Sequence, residues 1–229
     1  MSHWRERTAR GVPRPTFGPP PLRVDATTLR RYFATTDPHP DVILRNYHHE
    51  EPVAVERHAT ARRAAVLLPF IDDASPRFLL TRRHEAISAP GHICFPGGTR
   101  DTDDDHAIAT ALRETREETG LAPDRIEPLG TLGRYYSHSG HEIVPVVGLV
   151  HPPYELTPNP REVDEILYLP ADAAFRPQAY ELRQHDPEHP RAHYFVALER
   201  GAVTGPTVCI LMHLYECLAG FLSRGGDAS

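Results

Sequence analysis

The chain has 229 residues, 40% of them hydrophobic and 24% charged, which is enough for one domain plus an appendage. All 25 of its Lys+Arg residues are arginine, which excludes Schiff-base, pyridoxal phosphate and P-loop chemistry, each of which needs a lysine amine. A formal charge of −6 argues against chain-wide affinity for nucleic acid or acidic lipid, and three irregularly spaced cysteines, Cys94, Cys209 and Cys217, against a disulfide framework or a zinc site, so a reducing cytoplasm is expected.

Residues 1–24 read as a Pro/Arg-rich arm without periodicity and without the apolar core of a secretory signal. Asp25 is a good N-cap for a short helix to Ala34 with Leu29, Tyr32 and Phe33 on its apolar side, and Asp37-Pro38-His39-Pro40 stops it. Residues 1–60 are accordingly expected to form an extension, 61–222 a compact domain and 223–229 a flexible tail. Ala64–Ile71 is a continuous apolar run suited to a buried strand, followed by a turn over 72–76 and a returning strand Arg77–Thr81, together a hairpin. This apolar run falls far short of the roughly 20 residues of a bilayer-spanning helix, so no membrane span is expected.

Gly91–Phe95 reads as a short strand ended by Pro96-Gly97-Gly98, and after an acidic loop His106–Thr119 is helical, stopped by Gly120. Further strands are expected at Ile126–Tyr135, Glu142–Val150 and Ile166–Leu169, the last followed by a short helix. An irregular connection over 177–193 then leads to a strand Tyr194–Leu198 and a final helix from Thr207 to Leu222. That helix is apolar around most of its circumference and so packs on two sides, either under the N-terminal extension or in a homodimer. Mixed strands around a few helices indicate an α+β fold, an α/β/α sandwich with a mixed β-sheet.

The informative stretch runs from Phe95 to Leu121. At 100° per residue Glu114, Glu117 and Glu118 share one arc of the helix, with Ile108, Leu112 and Thr115 on an adjoining stripe. Taken alone, Arg-Glu-Thr-Arg-Glu-Glu is compatible with a solvated surface. A strand ending in Phe-Pro-Gly-Gly, an acidic loop and a closing Gly-Leu are not required by a solvated face. Three like charges on one arc call for cations, and magnesium prefers carboxylate, carbonyl and water oxygens. Arg113 is placed to orient a carboxylate, and the two glycines allow a backbone carbonyl to approach.

This segment resembles the Nudix box, with Gly98 opening it and Arg113-Glu114-Thr115-Arg116-Glu117-Glu118-Thr119-Gly120-Leu121 closing it. Asp104 stands at the position of the early glutamate, the loop to Arg113 is one residue longer than usual, and Thr115 replaces an apolar residue. Leu79-Leu80-Thr81-Arg82-Arg83 and Gly91-His92-Ile93-Cys94-Phe95-Pro96-Gly97-Gly98 resemble the motifs of the coenzyme A pyrophosphatase branch, with His92 in place of a glutamine. The resemblance extends over about residues 61–222 and is specific over 91–121.

The resemblance implies a Nudix-type fold and a Mg2+- or Mn2+-dependent pyrophosphohydrolase acting on a small-molecule nucleoside diphosphate derivative. Coenzyme A or a derivative is the leading substrate, with ADP-ribose or another nucleotide conjugate, or a non-catalytic ligand sensor, as alternatives. By similarity Glu117 and Glu118 are metal ligands, Glu114 a further ligand or base, the Gly97 carbonyl a backbone ligand and Arg113 the orienting partner. Glu142, Glu162 and Glu165 are candidate general bases. Arg82 and Arg83, just after a strand beside the cluster, are suited to phosphate, and His92 and Gly98 are candidate substrate contacts. Cys94 is read as core rather than nucleophile.

Overall fold

The computed structural model describes residues 21–36, 42–48, 53–184 and 192–225; the arm over 1–20 and the Pro38/Pro40 stop lie outside these, as do 226–229 of the expected tail. Asp25 caps α1 (Ala26–Thr35), its carboxylate accepting from the Thr28 backbone N–H at 2.7 Å and hydroxyl at 2.8 Å. This satisfies one of the orphan donors of the first turn, and Leu29 and Tyr32 are buried as their spacing predicts.

Among the described residues, eight strands form one mixed sheet. They are β1 (Arg62–Ile71), β2 (Arg77–Arg83), β3 (Ile93–Cys94), β4 (Gly97–Thr99), β5 (Ile126–Thr131), β6 (Tyr135–Tyr136), β7 (His141–Val150) and β8 (Val163–Pro170). At its centre β1 runs parallel to β7 over its whole length, Arg62 opposite His141 through Ile71 opposite Val150. The expected hairpin exists only at its tip, Phe70 opposite Phe78 and Ile71 opposite Arg77. Beyond it β2 pairs with β8 and β3, and β4 pairs with β1.

One face is covered by α2 (Ala107–Thr119), packed on Ala65, Leu67, Leu79, Val146 and Val150. On the other face a single core joins Leu68, Phe70, Phe78, Leu80, Val147 and Leu149 to α1 and to α4 (Pro206–Ser223). Also on that side lies a three-stranded sheet of β9 (Tyr180–Gln184), β10 (Ala192–Leu198) and β11 (Gly201–Val203). The short α3 (Ala171–Ala174) follows β8 as expected. The architecture is the anticipated α+β sandwich with a mixed sheet.

By length and composition α4 could cross a bilayer, but Val208–Met212, Leu214, Tyr215 and Leu218 lie in the protein core. Its second packing surface is the N-terminal segment. Tyr47 hydrogen-bonds Glu216, and His48 Nε2 lies 3.0 Å from the Gly205 carbonyl while its Nδ1 accepts from the Tyr194 N–H at 3.1 Å. Tyr32 meets Phe221 edge to face at 5.8 Å. The described part of the extension therefore shares the core of the domain.

Three local expectations are revised. Ile126–Tyr135 is two strands, because the chain turns at Gly133 (φ +109°), where a Cβ would come within 2.4 Å of the Val42 carbonyl oxygen. Gly97-Gly98-Thr99 is a strand rather than a strand end, lying so close to β1 that a Cβ on Gly97 would meet the Ala65 carbonyl oxygen at 2.3 Å. Tyr180–Gln184, expected to be irregular, pairs antiparallel with β10.

Candidate functional site

The carboxylates are positioned by the way α2 is pinned at both ends. His106 is its N-cap, Nδ1 accepting from the Ala109 N–H at 3.1 Å. Gly120 (φ +74°) closes it in the left-handed conformation, with its N–H on the Arg116 carbonyl at 2.9 Å. The loop after β7 then satisfies two of the last carbonyls, Thr157 N–H reaching Thr119 O at 2.8 Å and Asn159 N–H reaching Glu118 O at 2.9 Å. Thr115, unexpected at an apolar position, is fully buried with its hydroxyl donating to the Ala111 carbonyl at 2.7 Å, so it leaves no unpaired polar group.

With the helix so placed, Glu114 and Glu118 face β4. Gly98 lies flat against Glu114, where a Cβ would stand 2.6 Å from Cδ, and the Gly97 N–H donates to Glu118 Oε2 at 3.2 Å. Glu118 is only 4% exposed, and burial pushes its pKa up to about 8 against the opposing Gly97 N–H and the Arg83 charge. Burial also raises Glu114, with Arg113 opposing and the Glu117 and Glu162 charges adding to the rise.

Arg113 is the hub of the cluster. It donates to Asp104 through Nε at 3.2 Å and Nη2 at 2.9 Å, to Glu114 and Glu117 through Nη1 at 3.0 Å each, and to the Thr99 carbonyl at 3.1 Å. Asp104 is buried, also accepts the Asp101 N–H at 2.9 Å, and is held well below the usual carboxylate range, chiefly by the Arg113 guanidinium. Glu117 lies on the exposed side of the helix and reaches the others through Arg113. Among the described residues no three His, Cys, Asp or Glu side chains are gathered closely enough to hold an ion as they stand. Repulsion separates three anions, and the guanidinium between Glu114 and Glu117 takes the place of a cation. The donor set is all oxygen, as hard divalent ions require, and among the described residues Glu118 is a buried carboxylate with a single hydrogen bond, to the Gly97 amide, and no salt bridge. These residues fit a magnesium or manganese ion. A depression of about 550 Å³ opens on the outer flank of α2 between Ala109, Leu112, Arg113, Arg116, Glu117 and Pro123, so it shares Arg113 and Glu117 with the cluster but is not lined by Glu118.

The two arginines after β2 part company. Arg83 faces the α2 side, its charge felt by Glu118 and its Nε held by the Ser88 carbonyl at 2.8 Å. Arg82 projects to the other face, pairs with Glu165 at 3.2 Å and donates to the Arg200 carbonyl at 2.6 Å. Glu165 shares that far face with Leu167 and Leu169 and also pairs with Arg200, which removes Arg82 and Glu165 from the carboxylate site. Glu142 accepts the Tyr136 hydroxyl at 2.7 Å and lies 3.9 Å from Arg134. Of the three candidate bases, Glu162 is the one whose charge raises both Glu114 and Glu118, and its Oε1 accepts Asn159 Nδ2 at 3.1 Å. The His92 side chain is exposed, and its carbonyl accepts the Arg83 N–H at 2.9 Å. Cys94 is pushed up to about 11 by burial, a neutral thiol consistent with a packing role.

The sequence places Asp104 at the early-glutamate position but carries no sign that it anchors Arg113, and Asn159 carries no signal beyond a Pro-Asn-Pro turn.

A family model described as the NUDIX domain matches residues 61–193. An uncharacterized Nudix hydrolase NudL of Photorhabdus laumondii is 36% identical over 159 residues, 68% of this chain and 84% of the relative. A NudL of Yersinia pestis is 35% identical over 181 residues, 78% of this chain and 87% of the relative. Among solved structures, a MutT/nudix family protein from Enterococcus faecalis aligns over 87% of this chain and 76% of its own, with TM-score 0.45 and 14% identity.

Proposed function

The chain belongs to the Nudix hydrolase family, and from that premise we propose that it cleaves the diphosphate bond of a nucleoside diphosphate linked to another group, with coenzyme A or a derivative as substrate. Water attacks one phosphorus, the bridging P–O bond breaks, and two phosphate monoesters leave. The observation that carries this reading is Glu118, a buried carboxylate with one hydrogen bond, set beside Glu114 over a strand of two glycines.

Glu114, Glu117 and Glu118 would hold Mg2+ or Mn2+ with the Gly97 carbonyl. Such an ion supplies charge neutralisation on the diphosphate oxygens and acidity to a bound water. Arg113, itself anchored by Asp104, keeps Glu114 and Glu117 in reach of one another. Gly98 presents bare backbone, so the Glu114 carboxylate lies directly against it with no side chain between them. Arg83 offers a guanidinium beside Glu118 to a phosphate oxygen, and the exposed His92 stands next to it as a contact for the rest of the substrate. Glu162, oriented by Asn159, takes the proton from the attacking water. Positioning and fixed charge carry most of the barrier reduction in such a displacement.

The test is to incubate the chain with Mg2+ or Mn2+ and, separately, coenzyme A, ADP-ribose, a dinucleoside polyphosphate and NADH, identifying products by mass. Coenzyme A should be split into two phosphate monoesters, and Glu118→Gln should abolish this while retaining the fold. Turnover of ADP-ribose alone would transfer the reading to that substrate, and turnover of none by a folded chain would overturn it.

A further inference from the structure

Where β1 and β7 begin, cationic and aromatic side chains collect, with the exposed Glu56 in the same turn and the acidic loop leaving from Arg100, whose N–H is bonded to the Arg63 carbonyl at 2.8 Å. The ring of His58, in the 3-10 turn Val55–Thr60, stacks on Tyr136 with centroids 3.6 Å apart and planes 4° from parallel. Arg57, exposed beside it, reaches the His138 carbonyl at 3.3 Å. Glu142, opposite Arg63 on β7, accepts the Tyr136 hydroxyl and faces Arg134, so its charge is already matched. Arg63 lies directly opposite Glu142 in the parallel register, yet it is exposed and forms no ion pair among the described residues.

Its position relative to the carboxylates follows from strand geometry. Arg63 precedes Ala65 by two residues and projects from the same face, and Ala65 is the partner of Gly98, against which Glu114 lies. Two residues of strand span about 7 Å, the reach of one arginine side chain. The sheet order β2-β1-β7 puts Arg83 and Glu162 on one flank of Gly98 and Arg63 with the His58–Tyr136 stack on the other. A diphosphate held at Glu114 and Glu118 would extend one of its substituents into this corner.

We infer that the corner of Arg63, Arg57, His58 and Tyr136 binds an anionic group on the nucleoside half of the substrate, a phosphate monoester additional to the diphosphate that is cleaved. The inference rests on the diphosphate being bound at Glu114 and Glu118 as proposed above. Guanidinium forks match a phosphate's oxygens, and the stacked rings give a flat apolar surface for the base.

The test is calorimetric and needs no turnover: titrate the metal-free full chain with AMP and with adenosine 3′,5′-bisphosphate. The bisphosphate should bind about tenfold more tightly, and the preference should weaken as salt rises. It should fall below about twofold in Arg63→Gln and return in large part in Arg63→Lys. Equal affinity for both ligands, or a preference untouched by Arg63→Gln, would overturn the inference. Hydrolysis of a matched pair of diphosphates with and without the extra monoester separates the two claims. A persisting bisphosphate preference with neither substrate cleaved sinks the reaction and leaves the corner standing; both cleaved alike with no binding preference does the reverse.

Discussion

Asp104→Asn probes the anchor of the whole cluster. The wild-type carboxylate, 7% exposed, takes both Nε and Nη2 of Arg113, itself 28% exposed, and the Asp101 N–H. Asparagine keeps an acceptor but loses the charge, and hydrogen bonds to a charged group contribute about 1.5–3 kcal/mol, so a net loss of about 2 kcal/mol is expected. For a domain of this size that lowers Tm by roughly 4–8 °C near neutral pH. The sign of the pH dependence is set by the depressed folded pKa. Asp104 stabilises the fold fully above its ordinary value of 3.8, and that stability is lost as pH falls through the lower folded value. Thermal unfolding followed by circular dichroism across the range from neutral to acid should therefore show the gap between wild type and variant closing below about pH 4. A variant that melts with wild type at neutral pH, or a gap that does not narrow in acid, would refute the reasoning.

Gly98→Ala places a methyl 2.6 Å from Glu114 Cδ and must displace that carboxylate; hydrolysis should fall about a hundredfold in kcat with the circular dichroism spectrum retained. Glu118, raised to about 8 in the metal-free fold, holds a proton that the unfolded chain has released, so stability without metal should decline as pH rises from about 4.5 to 8. Glu118→Gln should flatten that decline and melt higher than wild type at the alkaline end, as differential scanning calorimetry in chelator would show. Leu29→Ala, in the extension but fully buried, should cost about 3 kcal/mol in urea unfolding; a loss below about 1 kcal/mol would mean that α1 is not part of the core.

The parts of the fold legible in the sequence are those with local causes. Asp25 and Gly120 end their helices by chemistry visible in the chain, and the run before Ile71 is buried on both faces and reads as such. The strands Gly97-Gly98-Thr99 and Tyr180–Gln184 are not legible locally, because their causes lie elsewhere, in the backbone of Ala65 and in β10. The placement of Arg82 and Arg83 on opposite faces was open to inference from strand alternation, whereas the pairing of Arg82 with Glu165 depends on a long-range register with a bulge after Arg82. The three glutamates were legible as one arc, but not the division of labour that leaves Glu118 buried, Glu114 half-buried and Glu117 outside under Arg113.

A crystal of the protein soaked in Mn2+ and a slowly hydrolysed diphosphate ester tests the account most directly. Anomalous scattering should place manganese on carboxylate oxygens of Glu114 and Glu118, at roughly 2 to 2.3 Å, with the diphosphate beside them and reaching toward Arg83. Manganese bound elsewhere, with Glu118 still closed on the Gly97 amide and the ester in place, would contradict it.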